Sequence, residues 1–279
     1  MSPSNVSDAL VRASHRLTPT ERRIAEAIID DPTLLAFGTV SDLADSVGTS
    51  RPSIVRFASK LGFSGYPALR DSARAGLSQR LSTPRDRVRA ANASSLGDLR
   101  SLTDSLAALG SIVASGVLPA LAIRIADADA VWIATGETSK ASAHALRSGL
   151  GIIRPNVHLV EDHSIGRELA GAGAGDIALI SDFSRYRRSA VTAAEALSAH
   201  SVPIVAITDG PLSPLAASAD TLLELSVPAV GPFDSSVPSV ALAELIIAEV
   251  ARVDRESVQV RIDRTEALWA TTGTFVAGP

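Results

Sequence analysis

The chain of 279 residues contains no cysteine. Disulfides, thiolate metal sites and cysteine nucleophiles are therefore excluded, and the composition fits a reducing compartment. Aromatic residues are scarce at 4%. The core must then be built from Ala, Leu, Val and Ile. No run approaches the ~18 uninterrupted apolar residues of a membrane helix, so no membrane association is expected. The opening MSPSNVSDALVRAS lacks a basic segment followed by an apolar one. No signal peptide is expected, and the reading is cytoplasmic.

What is present is an ordinary soluble composition, 46% hydrophobic and 20% charged. The length allows one large or two ordinary domains. The net charge of −4 is unevenly spread. Residues 1–89 carry 13 Lys and Arg against 9 Asp and Glu, whereas residues 90–279 carry 13 against 21. A basic head on an acidic body suits a nucleic-acid-binding domain joined to one that does not touch nucleic acid.

The most informative stretch is SDLADSVGTSRPSIVRFASKLGFSGYPAL, residues 41–69. It reads as two short helices around a tight turn. Ser41 is placed to cap the first, with Leu43, Ala44 and Val47 as its apolar stripe and Gly48 just past its end. Ser50 is placed to cap the second, with Pro52 in its first turn. Ile54, Phe57, Ala58 and Leu61 follow at i, i+3, i+4 and i+7, one buried face. Thr49, Ser50, Arg51, Ser53, Arg56 and Lys60 remain to meet a polyanion. This is the pattern of a helix-turn-helix whose second helix enters the DNA major groove, with Arg51 and Ser53 as base readers and Lys60 on phosphate. Capped amphipathic helices joined by a Gly turn also occur in plain helical domains. Upstream, Thr18, Pro19 and Glu21 form the start of a further helix with a capping box, and a helix over 66–81 follows.

RPSIVRFASKLGFSGYPALR resembles the recognition-helix region of the RpiR family of transcriptional regulators, and LTPTERRIAEAIIDDP resembles that family's opening helix. The likeness covers about residues 17–80. It implies a regulator that responds to phosphosugars and binds double-stranded operator DNA as a homodimer or homotetramer.

The division expected is a helix-turn-helix domain over 1–81, a polar linker over 82–97, and a second domain over 98–279. Helical pattern runs from Asp98 to Ala126 with a break near Gly116 to Pro119. Beyond Ala128, the apolar runs AVWIA, NVHLV, DIALIS, PIVAIT and TLLELSV alternate with helical stretches. Strands apolar along their whole length, each followed by a helix, imply a parallel sheet covered on both faces. The fold expected is an all-α helix-turn-helix head plus an α/β domain, an αβα sandwich with a five-stranded parallel sheet.

Ligands in such sheets sit beyond the carboxyl ends of the strands. The first strand runs into Thr135-Gly136-Glu137-Thr138-Ser139, and the third into Ser181-Asp182-Phe183-Ser184-Arg185. The fourth runs into Thr208-Asp209-Gly210-Pro211. Gly136 allows close approach of the backbone. Thr138, Ser139, Ser181 and Ser184 offer hydroxyls, and Arg185 offers a fork for a phosphate or carboxylate. Ser and Thr at helix starts are also common as plain caps.

ATGETSKASAHAL, ISDFSRYRRSAV and AITDGPLSPLAASADTLLEL resemble the ligand loops and fourth-strand region of the SIS (sugar isomerase) domain, over about residues 105–255. The resemblance implies a phosphosugar or related small anionic metabolite as effector. Glu137 stands where a small residue is common in that domain.

The same fold occurs in isomerases. Moving a proton between neighbouring carbons needs a placed base, and Glu137, Glu161, His163 and Glu168 are the candidates. None lies in a recognisable catalytic pattern, and His158, Asp162 and His163 make a poor metal set. No catalytic residue, metal or cofactor is expected. The alternative is a phosphosugar isomerase with an accessory helical domain.

Overall fold

The computed structural model describes residues 6–13, 16–81, 84–90, 94–211 and 213–276. The chain divides into two compact units, Met1–Arg87 and Val88–Pro279. The stretch 82–97 expected as a linker contains a short helix, α7 (Pro84–Ala90), and the start of α8 (Ser95–Ala114).

The first unit is helical, with α1 (Val6–Ala13), α2 (Pro19–Asp30), α3 (Pro32–Phe37), α4 (Val40–Val47), α5 (Arg51–Lys60) and α6 (Tyr66–Leu81); α7 (Pro84–Ala90) crosses the division. Its core joins Ile24, Ile28, Leu35, Leu43, Ile54, Phe57, Leu61, Phe63 and Leu69. Ala73 packs against this core; Leu77 and Arg80 have side chains outside the described residues. Tyr66 donates to the Gly38 carbonyl at 3.3 Å, and Arg74 to the Ala36 carbonyl at 2.5 Å, tying α6 to the end of α3.

The second unit begins with α8 (Ser95–Ala114) and α9 (Val117–Asp127), separated at Gly116, whose φ of 74° needs no Cβ. Then follow β1 (Val131–Thr135), α10 (Lys140–Ile153), β2 (Val157–Leu159), α11 (Ile165–Glu168), β3 (Ile177–Ser181), α12 (Arg188–Ala199), β4 (Ile204–Thr208) and β5 (Thr221–Glu224). The five strands form one parallel sheet in the order β2-β1-β3-β4-β5. Alternate residues feed opposite layers. Val131, Ile133, Ile177, Leu179, Val205 and Ile207 join a core with α9, α10 and the later helix α13 (Val237–Val253). Trp132, Ala134, Ala178, Ile180, Ile204 and Ala206 join a core with α12. This is the expected αβα sandwich. An element not anticipated is the antiparallel pair β6 (Ala229–Val230) and β7 (Phe233–Asp234) ahead of α13; the chain ends on α14 (Arg255–Thr272).

Arg154, at the end of α10, is buried and donates to the carbonyls of Ile125 and Ala128, the latter at 2.7 Å. Desolvation lowers its pKa, and the carbonyls at the end of α9 offset that cost. Among the described residues no single helix is long and apolar enough to cross a membrane.

Candidate functional site

In the first unit, Thr39 caps α4, not Ser41. Its hydroxyl accepts from the Asp42 amide at 3.2 Å while Asp42 accepts from the Thr39 amide at 2.7 Å. The reciprocal pair needs an acid three residues on, which Thr39 has and Ser41 lacks. Those hydrogen bonds hold the Asp42 carboxyl below its ordinary pKa. Gly48 ends α4 in the left-handed region, φ 65°, and the Thr49 amide reaches back to the Ala44 carbonyl at 2.9 Å.

Ser50 stands at the N-cap of α5, but its hydroxyl pairs with Ser53 at 2.9 Å instead of capping. Arg56 donates to that same Ser53 hydroxyl at 3.1 Å. Ile54, Phe57 and Ala58 are buried, which leaves Arg51 and Arg56 exposed on the outward side. Val55, 43% exposed, lies beside Arg56; it carries no polar group and so escaped the sequence reading. Lys60 is held by Glu21 of α2 at 2.6 Å. Burial raises the Glu21 carboxyl, but Lys60 and the Thr18 amide outweigh it and leave it below the usual range.

In the second unit, the chain runs from β1 to β2 on one side and on to β3 on the other. The crevice beyond the carboxyl ends of β1 and β3 is thus the point where strand order reverses. Two loops meet there, 136–139 and 182–187. Asp182, buried after β3, is the wedge between them. It accepts from its neighbour Phe183 at 2.9 Å and from the Arg187 amide at 2.6 Å. A Cβ on Gly136 would lie 2.0 Å from Asp182 Oδ1, so only glycine fits there. Burial pushes the Asp182 carboxyl up to about 6 against the pull of those two amides and the charge of Arg187.

The hydroxyl oxygens of Thr138 and Ser139 are buried with no hydrogen-bond partner. Ser139 is the N-cap residue of α10 yet makes no side-chain cap. Two unmatched hydroxyls at a helix N-terminus are equipped to donate to an anion. Ser181 donates to Thr135 at 3.4 Å, and the Gly136 amide bonds the Ser181 carbonyl at 3.0 Å, which stitches the two strand ends together. Ser184 turns elsewhere. Its hydroxyl donates to Asp209 after β4 at 2.9 Å, and Tyr186 donates to the same carboxylate. A hydroxyl has one proton, so Ser184 as folded has none for an anion. Arg185 is exposed at φ 72° and makes no hydrogen bond or ion pair among the described residues. Thr138 and Ser139 thus keep unmatched hydroxyls beside Gly136, whereas the Ser181 and Ser184 hydroxyls are directed to Thr135 and Asp209.

Glu137 is exposed and paired. One of its oxygens accepts from Lys140 at 3.1 Å and from Arg187 at 3.0 Å. The Lys140 hydrogen bond and the two positive charges hold its carboxyl below the usual range. His158 stacks on Trp132 with centroids 4.5 Å apart. Among the described residues no group of three or more His, Asp or Glu is arranged to hold a metal ion.

Residues 4–82 match the helix-turn-helix domain of the rpiR family, and residues 124–248 match the SIS domain. Over 57 residues the chain is 37% identical to an uncharacterized HTH-type transcriptional regulator of Caldanaerobacter subterraneus subsp. tengcongensis. That match covers 20% of each protein. The fold resembles the NanR protein of Vibrio vulnificus complexed with ManNAc-6P, with a TM-score of 0.58 at 20% identity over 97% of this chain and 100% of that one. It also resembles the sugar isomerase domain of an RpiR transcription factor from Sphaerobacter thermophilus, with a TM-score of 0.56 at 24% identity over 61% of this chain and 97% of that one.

Proposed function

We propose that this chain, a member of the RpiR family with an N-terminal helix-turn-helix and a C-terminal SIS domain, is a DNA-binding transcriptional regulator controlled by a small anionic metabolite. Its operator is double-stranded DNA, read by α5 through Arg51, Ser53 and Arg56. The effector is a phosphosugar or related sugar derivative. The observation that carries this reading is the pair of buried, unmatched hydroxyls of Thr138 and Ser139 at the start of α10. Such oxygens cost free energy unless a hydrogen-bond partner meets them. The resemblance to NanR, whose structure holds ManNAc-6P, supports a sugar phosphate in that class of site. The protein works in the cytoplasm as a homodimer or homotetramer, and the exposed Leu99, Leu106 and Val113, at heptad spacing along α8, suit a shared surface.

The isomerase alternative needs a base with a pKa near neutrality. Glu137 is held low by Lys140, and Glu168 by the Ser164 hydroxyl. Asp182 is raised, but its two oxygens are committed to backbone amides. Glu137, Glu168 and Asp182 are thus poorly suited to serve as that base.

The test begins with sequencing the genomic fragments that the purified protein retains. Affinity for the retained fragment is then measured for Arg51→Ala and Arg56→Ala at fixed salt. Loss of a base contact is expected to cost ~1–3 kcal/mol on that fragment and less on random DNA. Undiminished binding by both variants would remove α5 from the DNA interface.

A further inference from the structure

Resting on the ligand site just described, we propose that Glu137 is a built-in competitor. Its carboxylate holds the cations Lys140 and Arg187, and an anionic ligand entering at Thr138 and Ser139 takes them over.

Three observations carry this. The first is the geometry of one atom. A single carboxylate oxygen of Glu137 bridges Lys140 Nζ at 3.1 Å and an Arg187 terminal nitrogen at 3.0 Å. An anionic oxygen held by two cations is what a phosphate oxygen would be at the same place. The second is adjacency. Glu137 directly precedes the two unmatched hydroxyls, and Lys140 lies in the first turn of α10, where anions are favoured. The third is closure. The oxygens of Thr138 and Ser139 are shut off from solvent, so a ligand meets them only after the loops move. The Glu137–Arg187 pair is a tie between loop 136–139 and loop 182–187, the two that would have to part.

The three side chains are each more than half exposed, 57% for Glu137, 52% for Lys140 and 53% for Arg187. Exposed pairs are weak and exchange readily with solvent. A ligand anion that gains the hydroxyls and the helix terminus as well can therefore displace Glu137. Displacement replaces the direct Glu137–Arg187 tie by one that runs through the ligand. The exchange couples occupancy of the site to the link between the two strand ends.

The experiment is a double-mutant cycle on the full chain. Binding of ManNAc-6P and of inorganic phosphate is measured by calorimetry at constant ionic strength for wild type, Glu137→Gln, Arg187→Gln and the double variant. Glu137→Gln is expected to tighten both probes roughly two- to tenfold, the range exposed ion pairs can supply. Arg187→Gln alone is expected to change affinity less than about twofold, because a ligand contact and the competitor's anchor vanish together. On the Glu137→Gln background the same change is expected to cost roughly tenfold. Additive effects would mean that Glu137 acts by through-space repulsion only, and unchanged affinity in Glu137→Gln would make it a bystander. Either result overturns the proposal and leaves the ligand site standing. Ser139→Ala is the control for the site itself. If it leaves both probes bound as tightly as before, or if neither probe binds wild type, the site reading falls and the proposal with it.

Discussion

Replacing Asp182 by Asn should flatten the pH dependence of stability of the second unit. Asp182 is 2% exposed, and burial raises its carboxyl from 3.8 to about 6. In the unfolded chain it titrates near the ordinary value. Between the two values the folded protein holds a proton that the unfolded chain has released. Stability from this group is therefore fully present below about pH 4 and is lost as pH rises through about 6. At 1.36 kcal/mol per pKa unit the whole span is worth about 3 kcal/mol, of which about 1.4 kcal/mol falls between pH 5 and pH 7.5. Asn has no such titration. It also loses one of the two acceptors that meet the Phe183 and Arg187 amides, a cost equal at both pH values. The chain's tryptophans, Trp132 and Trp269, both lie in the second unit, so urea unfolding followed by fluorescence reports on it. Comparing the wild-type and Asp182→Asn free energies at pH 5 and pH 7.5 cancels every other titrating group. Wild type should lose about 1.4 kcal/mol more than the variant over that interval. Equal losses would refute a raised Asp182.

Arg154→Ala should destabilise the second unit by about 3 kcal/mol, because it strands buried carbonyls at the end of α9; calorimetric unfolding measures it. Thr39→Ala should cost the first unit about 1 kcal/mol, whereas Ser41→Ala should cost little, which thermal unfolding followed by helical circular dichroism separates. Gly136→Ala should lower stability and, on the proposed ligand site, weaken sugar-phosphate binding, since its Cβ must displace the Asp182 carboxylate. Calorimetric titration that finds wild-type affinity would contradict that packing.

The sheet was legible because its strands are apolar on both faces, as in DIALIS and PIVAIT, where two helical layers cover them. The helix-turn-helix was legible because Gly48 and the spacing of Ile54, Phe57 and Ala58 are local signals. The first cap was misplaced because Thr39 and Ser41 both offer a hydroxyl. The decisive partner was Asp42, three residues after Thr39. The β6–β7 pair escaped because two-residue strands are too short to alternate. The site was half legible. The loops at the strand ends were found from position in the chain, but their internal bonds are long-range. Nothing near Gly136 in sequence announces Asp182, and nothing near Ser184 announces that Asp209 takes its proton. The Lys60–Glu21 pair was not legible because the two residues lie far apart along the chain.

The central claim is that occupancy of the loop carrying Thr138 and Ser139 changes affinity for DNA. The most direct measurement is the dissociation constant of a retained genomic fragment with and without saturating sugar phosphate, ManNAc-6P first, for wild type and Ser139→Ala. Coupling between two sites on one regulator is typically about 5- to 150-fold, and it requires different affinities for the ligand in the two states. Wild type should show a shift of that size and Ser139→Ala none. A sugar phosphate that binds at Ser139 and leaves the DNA dissociation constant unchanged would contradict the claim.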